Sequence, residues 1–299
     1  MAVVQGNAAL ASDYNTLRGE INDWFRDPNP SMTFGDGQQT YGWGGDAASA
    51  VSQGQAMTAA QMNALIDRCN IGEDICNSVS GQLSQIVAGN PMTAAEFNAI
   101  ETKSDLIDTN RLDIEAAELS LATGGNTARS TTWSSAVLCT FRYTFASFAK
   151  ARYFFNSGGA FNISATISGY STGTGWDGAG FNQIFTNMGT ILMNYTQTTE
   201  SGSGGTPTAI GYYDLTTGYQ NIYTATGTGA YSDATLALAA RYGSSGAYVE
   251  LRLTLTPGAG RSVNGTTTIT TQKRKLDNQS SGAVSLVIDT PSYSLIDPI

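Results

Sequence analysis

The chain has 299 residues, of which 13% are charged and none is histidine, and its formal net charge is −9. That acidic balance argues against a nucleic-acid backbone as partner, and the missing imidazole removes the Ser-His-Asp triad, the Cys-His pair and any histidine metal site. Every apolar run is shorter than the roughly 18–20 residues that cross a bilayer, so no membrane insertion is expected.

An apolar share of 41% argues against disorder, and 34 glycines amid scattered Ser and Thr give the texture of a turn-rich β protein. The length suits two domains, each with its own core.

The first 127 residues carry a diverged repeat, visible around Asn15 (ALASDYNTL), Asn63 (MTAAQMNAL) and Asn98 (MTAAEFNAI). Thr58 and Thr93 are each followed three residues later by Gln61 or Glu96, the pattern of a reciprocal capping box, so both copies predict helix starts. In the first helix Leu10, Tyr14, Leu17, Ile21 and Trp24 fall on one stripe, and Asp27-Pro28-Asn29-Pro30 ends it. In the third, Ile100, Ile107, Ile114 and Leu121 recur every seven residues and predict a helix face for docking or for pairing between identical chains. The Gly-rich stretch 35–54 lacks the spacing and the lysine of a phosphate-binding loop and reads as a linker.

Helical periodicity stops at Gly124-Gly125-Asn126-Thr127, which predicts a boundary between a helical docking region, 1–127, and a β domain, 128–299. Alternation over 137–145, 161–167 and 247–255 predicts half-buried strands, with further candidates at 190–199, 220–225, 235–242, 261–273 and 283–289. Gly243-Ser244-Ser245-Gly246 predicts a hairpin turn. The expected class is α+β multidomain, with an N-terminal helical docking region followed by an antiparallel β-sandwich. Residues 147–155 read as a short helix ended by Asn156 and the glycines after it, so Asn156-Ser157-Gly158-Gly159 is a corner rather than a ligand loop.

Candidate chemistry is sparse. The three cysteines, Cys69, Cys76 and Cys139, read as buried reduced thiols. The carboxylates of the β region, Asp177, Glu200, Asp214, Asp233, Glu250, Asp277, Asp289 and Asp297, read as solvated surface groups. The basic run Gln272-Lys273-Arg274-Lys275 reads as a strand end or exposed edge. Trp176, Tyr212, Tyr213, Tyr219 and Tyr223 stand in Gly-rich surroundings suited to stacking on host surface glycan, although core or rim packing is the commoner fate of such rings. No catalytic residue, cofactor or metal is expected.

MTAAQMNAL, MTAAEFNAI, Tyr41-Gly42-Trp43 with Val51-Ser52-Gln53-Gly54, and ARYFFNSGGAF at 151–161 together give a sequence that resembles virion structural proteins of tailed phages, particularly cyanobacterial phages, over nearly the whole chain. The resemblance implies a component of the tail, neck or fibre apparatus, made in the host cytoplasm and located in the virion. It also implies a homo-oligomer, a trimer or a higher symmetric ring, with other virion proteins as partners. It carries over no catalytic residues. Receptor binding through host glycan and capsid decoration are the alternatives.

Overall fold

The computed structural model describes residues 10–27, 29, 31, 41–90 and 92–299. Three helices come first: α1 (Ala11–Phe25), α2 (Ala59–Ile75) and α3 (Ala94–Asn110). They are followed by β1 (Leu119–Arg129), β2 (Val137–Thr144), α4 (Phe148–Asn156), β3 (Ala160–Ser168) and α5 (Gly178–Met188). The chain continues through β4 (Ile191–Met193), β5 (Thr198–Glu200), β6 (Gly205–Pro207), β7 (Gln220–Thr226), β8 (Thr235–Tyr242) and β9 (Tyr248–Thr256). The last strands are β10 (Thr266–Leu276), β11 (Gln279–Ser281), β12 (Val284–Leu286) and β13 (Ser292–Asp297). The class is α+β, and every strand pairing is antiparallel. One sheet has the order β1-β10-β3-β4-β5, another β13-β2-β9-β8-β7-β6, and β11 and β12 form a hairpin.

The repeated capping boxes form as the sequence predicts. Thr58 and Thr93 each accept from the backbone amide three residues on, at 3.2 Å, while Gln61 and Glu96 accept the Thr58 and Thr93 amides at 2.8 and 2.7 Å. The repeated asparagine has a role that composition did not show. Asn15 grips the backbone of Val51 with both ends of its amide (2.7 and 3.0 Å), and Asn63 grips Ile86 in the same way (3.0 and 2.7 Å). Seven residues on, Asn22 holds Ala48 and Asn70 holds Leu83. Each of α1 and α2 therefore carries two amide clamps, two turns apart on one face, that fasten an extended strap. The strap needs no sheet, because side chains complete its backbone hydrogen bonds.

The predicted α1 stripe is real from Tyr14 onward: Tyr14, Leu17, Ile21 and Trp24 are buried, but Leu10 is the N-terminal flanking residue and stays 62% exposed. Of the residues predicted to end α1, Pro28 and Pro30 lie outside those described, as does the part of the Gly-rich stretch before residue 41. The described part of that stretch serves α1 directly. The amides of Trp43, Gly44 and Gly45 donate to the carbonyls of Trp24, Arg26 and Phe25, which closes the helix C-terminus.

The seven-residue row assigned to α3 is half right. Phe97, Ile100 and Ile107 are buried on one face, and Ile107 packs where Gly72 of α2 leaves no room for a side chain. The helix ends at Asn110, however, so Ile114 bridges to Cys76 and Leu121 stands 55% exposed in β1. Spacing alone cannot see the break, because a strand begins where the row happens to continue.

The predicted boundary at 124–127 falls inside β1, which pairs with β10 from Leu119 to Arg129 with a bulge between Thr123 and Gly125. The two glycines sit at a bulge in a strand, not in a linker. Moreover, helices and sheets share one continuous cluster of buried side chains, from Tyr14 to Ile288. Other strand expectations hold at 137–144, 160–168, 220–226, 235–242 and 248–256, and Gly246 takes φ +68 in the predicted hairpin turn. The 190–199 segment divides into β4 and β5 around a turn in which Asn194 accepts from the amides of Thr196 and Gln197.

The corner at 156–159 forms through one of the expected glycines rather than through Asn156. Gly158, not Asn156, takes the left-handed conformation (φ +81), and Asn156 ends α4 fully buried. Its amide nitrogen donates to the carbonyls of Tyr41 (3.1 Å) and Gly42 (3.0 Å), and its oxygen accepts from the Tyr213 hydroxyl at 2.5 Å. One side chain thus ties the α1 cap to the sheet region. Asn156→Ala is expected to cost about 1–3 kcal/mol, since it leaves buried carbonyls and a hydroxyl short of partners. A urea melt reads the loss directly.

Candidate functional site: an arginine and tyrosine face

The site is built on the strand register of the larger sheet. On β9, Glu250 lies directly between Arg142 of β2 and Arg241 of β8, and one step along the same face Arg252 lies between Thr140 and Ala239. Alternation turns Val249, Leu251 and Leu253 into the core and leaves Glu250 and Arg252 on the opposite face.

Glu250 is 1% exposed, yet it is far from unpartnered. Arg142 donates Nε at 2.8 Å and Nη2 at 2.5 Å to Oε1; Arg241 Nε (2.7 Å) and the Tyr219 hydroxyl (2.6 Å) donate to Oε2. Burial pushes the Glu250 carboxyl upward, but the hydrogen bonds from Tyr219, Arg241 and Arg142 outweigh it and hold the group below the ordinary carboxylate range. The carboxylate orders its neighbours and leaves them accessible: both arginine side chains are 33% exposed.

Aromatic rings complete the face. The Arg252 guanidinium lies 3.7 Å from the centre of the Tyr219 ring and Arg241 4.4 Å from it, while Arg142 lies 4.4 Å from the Tyr248 ring. These distances suit cation–π attraction, which fixes the guanidinium planes without consuming their outward N–H groups. Three guanidinium groups surround one buried carboxylate and give this face an excess of positive charge, with exposed Asp297 of β13 opposite Thr140 at its margin. Leu138 extends the same face of β2 and is exposed.

The structure scatters the five aromatics predicted for glycan contact. Tyr212 and Tyr223 are fully buried, and the Tyr212 ring stacks on Phe155 with centroids 4.2 Å apart. They are core residues and cannot present a ring to a sugar. Tyr213 is half-buried and donates to Asn156; Trp176 is half-buried and bridges to Ser262. Only Tyr219, half-buried, belongs to the arginine face. The stretch between Trp176 and Tyr212 also contains the helix α5, which the Gly-rich composition hid.

Two carboxylates read as solvated are buried instead, Glu250 and Asp177. Asp177 accepts from Arg261 Nη1 at 2.9 Å and from the Gly258 amide, which anchors the loop before β10. The run at 272–275 stands at a strand end, as expected, but not at a sheet edge. It lies in β10, between β1 and β3, and Lys273 donates to the Pro291 carbonyl at 3.0 Å while burial lowers its pKa.

The three cysteines are free and buried, with burial pushing each thiol up to about 12. Among the described residues, no group of three or more His, Cys, Asp or Glu is placed to hold a metal, and no helix is long and apolar enough to cross a membrane. The fold defines the chain as an α+β protein with a cationic sheet face. Compared with known proteins, it matches no family model, no curated protein and no solved structure.

Proposed function

We propose that the chain is a virion structural protein of a tailed phage, a component of the tail, neck or fibre, and that it works by surface contact rather than by turnover. In this reading the two larger sheets form a β-sandwich, and the helical part is fused to it as a shared body. Stacking of Tyr143 from one sheet on Phe161 from the other, with centroids 4.0 Å apart, supports the sandwich.

The observation that carries the reading is the arginine face. Its carboxylate is already satisfied by three donors, and its guanidinium groups are held by rings and turned to solvent. That arrangement suits recognition of a fixed acidic surface. Tyr14, Leu17, Ile21 and Trp24 of α1 and Ile100 and Ile107 of α3 are buried within the chain's own core, the docking on its own domain that the α3 spacing allowed, so contact between copies runs through another surface.

Host-glycan adhesion is the second reading, favoured by the half-exposed Tyr219 ring beside Arg252. Peptide mass spectrometry of purified particles separates the readings from an intracellular role: the chain is expected at a fixed multiple per particle, and its absence from particles would refute the proposal.

A further inference from the structure

Charge is divided unevenly along the chain. Residues 1–118 contain 16 acidic and 5 basic side chains, whereas residues 119–299 contain 8 acidic and 10 basic. The helical body is therefore strongly negative, and three of the ten later cations, Arg142, Arg241 and Arg252, converge on one sheet face.

Arg142 and Arg241 share Glu250, but Arg252 has no carboxylate partner among the described residues. The described clefts lie away from that face. A cationic face outside the described clefts suits a macromolecular surface better than a small molecule, which requires enclosure. On the helical body, Glu20 and Asp23 of α1 and Asp105 and Asp108 of α3 line one cleft beside Trp24 and Tyr41. Arg111 reaches Asp108 at 3.2 Å. Burial first, then neighbouring carboxylates, raises the pKa of Glu20 and Asp23, as expected where negative charges crowd.

We propose that the arginine face of one copy docks on the acidic helical body of a second copy. The two surfaces are different parts of the same chain, so the contact is heterologous and repeats head to tail until it closes into a ring or extends as a filament. The occupant is chosen by charge complementarity, and the choice rests on the reading that this protein acts by contact.

The test is sedimentation velocity of the full chain at low ionic strength and again at ~0.3 M salt, where the Debye length shrinks to a few ångströms. Concentration-dependent association that salt weakens is expected. Arg252→Glu, which removes none of the hydrogen bonds to Glu250, is expected to weaken association ~100-fold, because it sets like charges face to face. Asp105→Lys on the exposed side of α3 is expected to do the same from the other surface. Mixing the two folded variants should restore association, since each retains the surface the other lacks.

A wild-type chain that stays monomeric at low salt, or variants that associate as well as wild type, would overturn the proposal. Binding of polygalacturonate by a monomeric wild type, lost in Arg252→Glu, would overturn it in favour of an acidic glycan. None of these results bears on whether the chain is found in particles, so the wider reading stands or falls separately.

Discussion

Asp27→Ala is expected to destabilise the fold by about 3–5 kcal/mol, the usual cost of breaking a buried ion pair by removing one partner. Asp27 sits just past the end of α1, Arg152 sits in α4, and both side chains are wholly buried with Arg152 Nη2 2.6 Å from Asp27 Oδ2. Tyr153 donates its hydroxyl to the same oxygen at 2.9 Å, and the Asn29 amide donates to the other at 2.8 Å. Removing the carboxylate takes away the negative charge that the Arg152 guanidinium and the Tyr153 hydroxyl meet between the helices and the sheets. Replacing both partners together by apolar residues, Asp27→Leu with Arg152→Met, is expected to recover much of the loss, because both charges leave the core together. Chemical denaturation of the three proteins decides the matter: a single-variant loss under about 1 kcal/mol would mean that water reaches the pair.

Glu250→Gln is expected to cost about 1–3 kcal/mol at neutral pH, since it removes the charge that organises two guanidinium groups and a hydroxyl. The effect depends on pH in a determined direction. The folded carboxyl titrates below its ordinary value of about 4.3, so its contribution is complete above that value and is lost as pH falls through the lower folded one. The gap between wild type and Glu250→Gln should therefore be constant from about pH 7 to pH 5 and close below about pH 4. Melting temperatures of both proteins across that range give the comparison. A gap that widens in acid would show that Glu250 is not held in its charged form.

Local chemistry was legible where it is local. Capping boxes at Thr58 and Thr93, the alternating strands and the short helix before the Asn156 corner all follow from residues within a turn or two of each other. What escaped depends on long-range pairing. Strand β1 reads poorly, because Gly124 and Gly125 look like a break until β10 supplies the ladder that absorbs them as a bulge. Lys273 looked like an edge charge for the same reason, its burial being imposed by the strands on either side.

The arginine face was illegible from spacing, since Arg142, Arg241, Glu250 and Arg252 meet only through the register of β2, β9 and β8. Two signals were present nonetheless: the shift from a strongly acidic first part to a mildly basic second, and the asparagines at 15 and 22 and at 63 and 70, whose common spacing of seven marks the strap clamps. The Gly-rich setting of Tyr212 and Tyr223 misled in the other direction, because here glycine makes room for rings in the core. Gly205, for example, lies where any side chain would strike the Tyr223 ring.

The central claim, that the arginine face is the working surface, is tested most directly by arginine footprinting with phenylglyoxal. Arg252 is expected to be modified readily in the dispersed chain and protected in assembled material, while Arg129, far from that face along the chain and exposed in neither docking surface, should change little. Equal modification of Arg252 in both states would contradict the account.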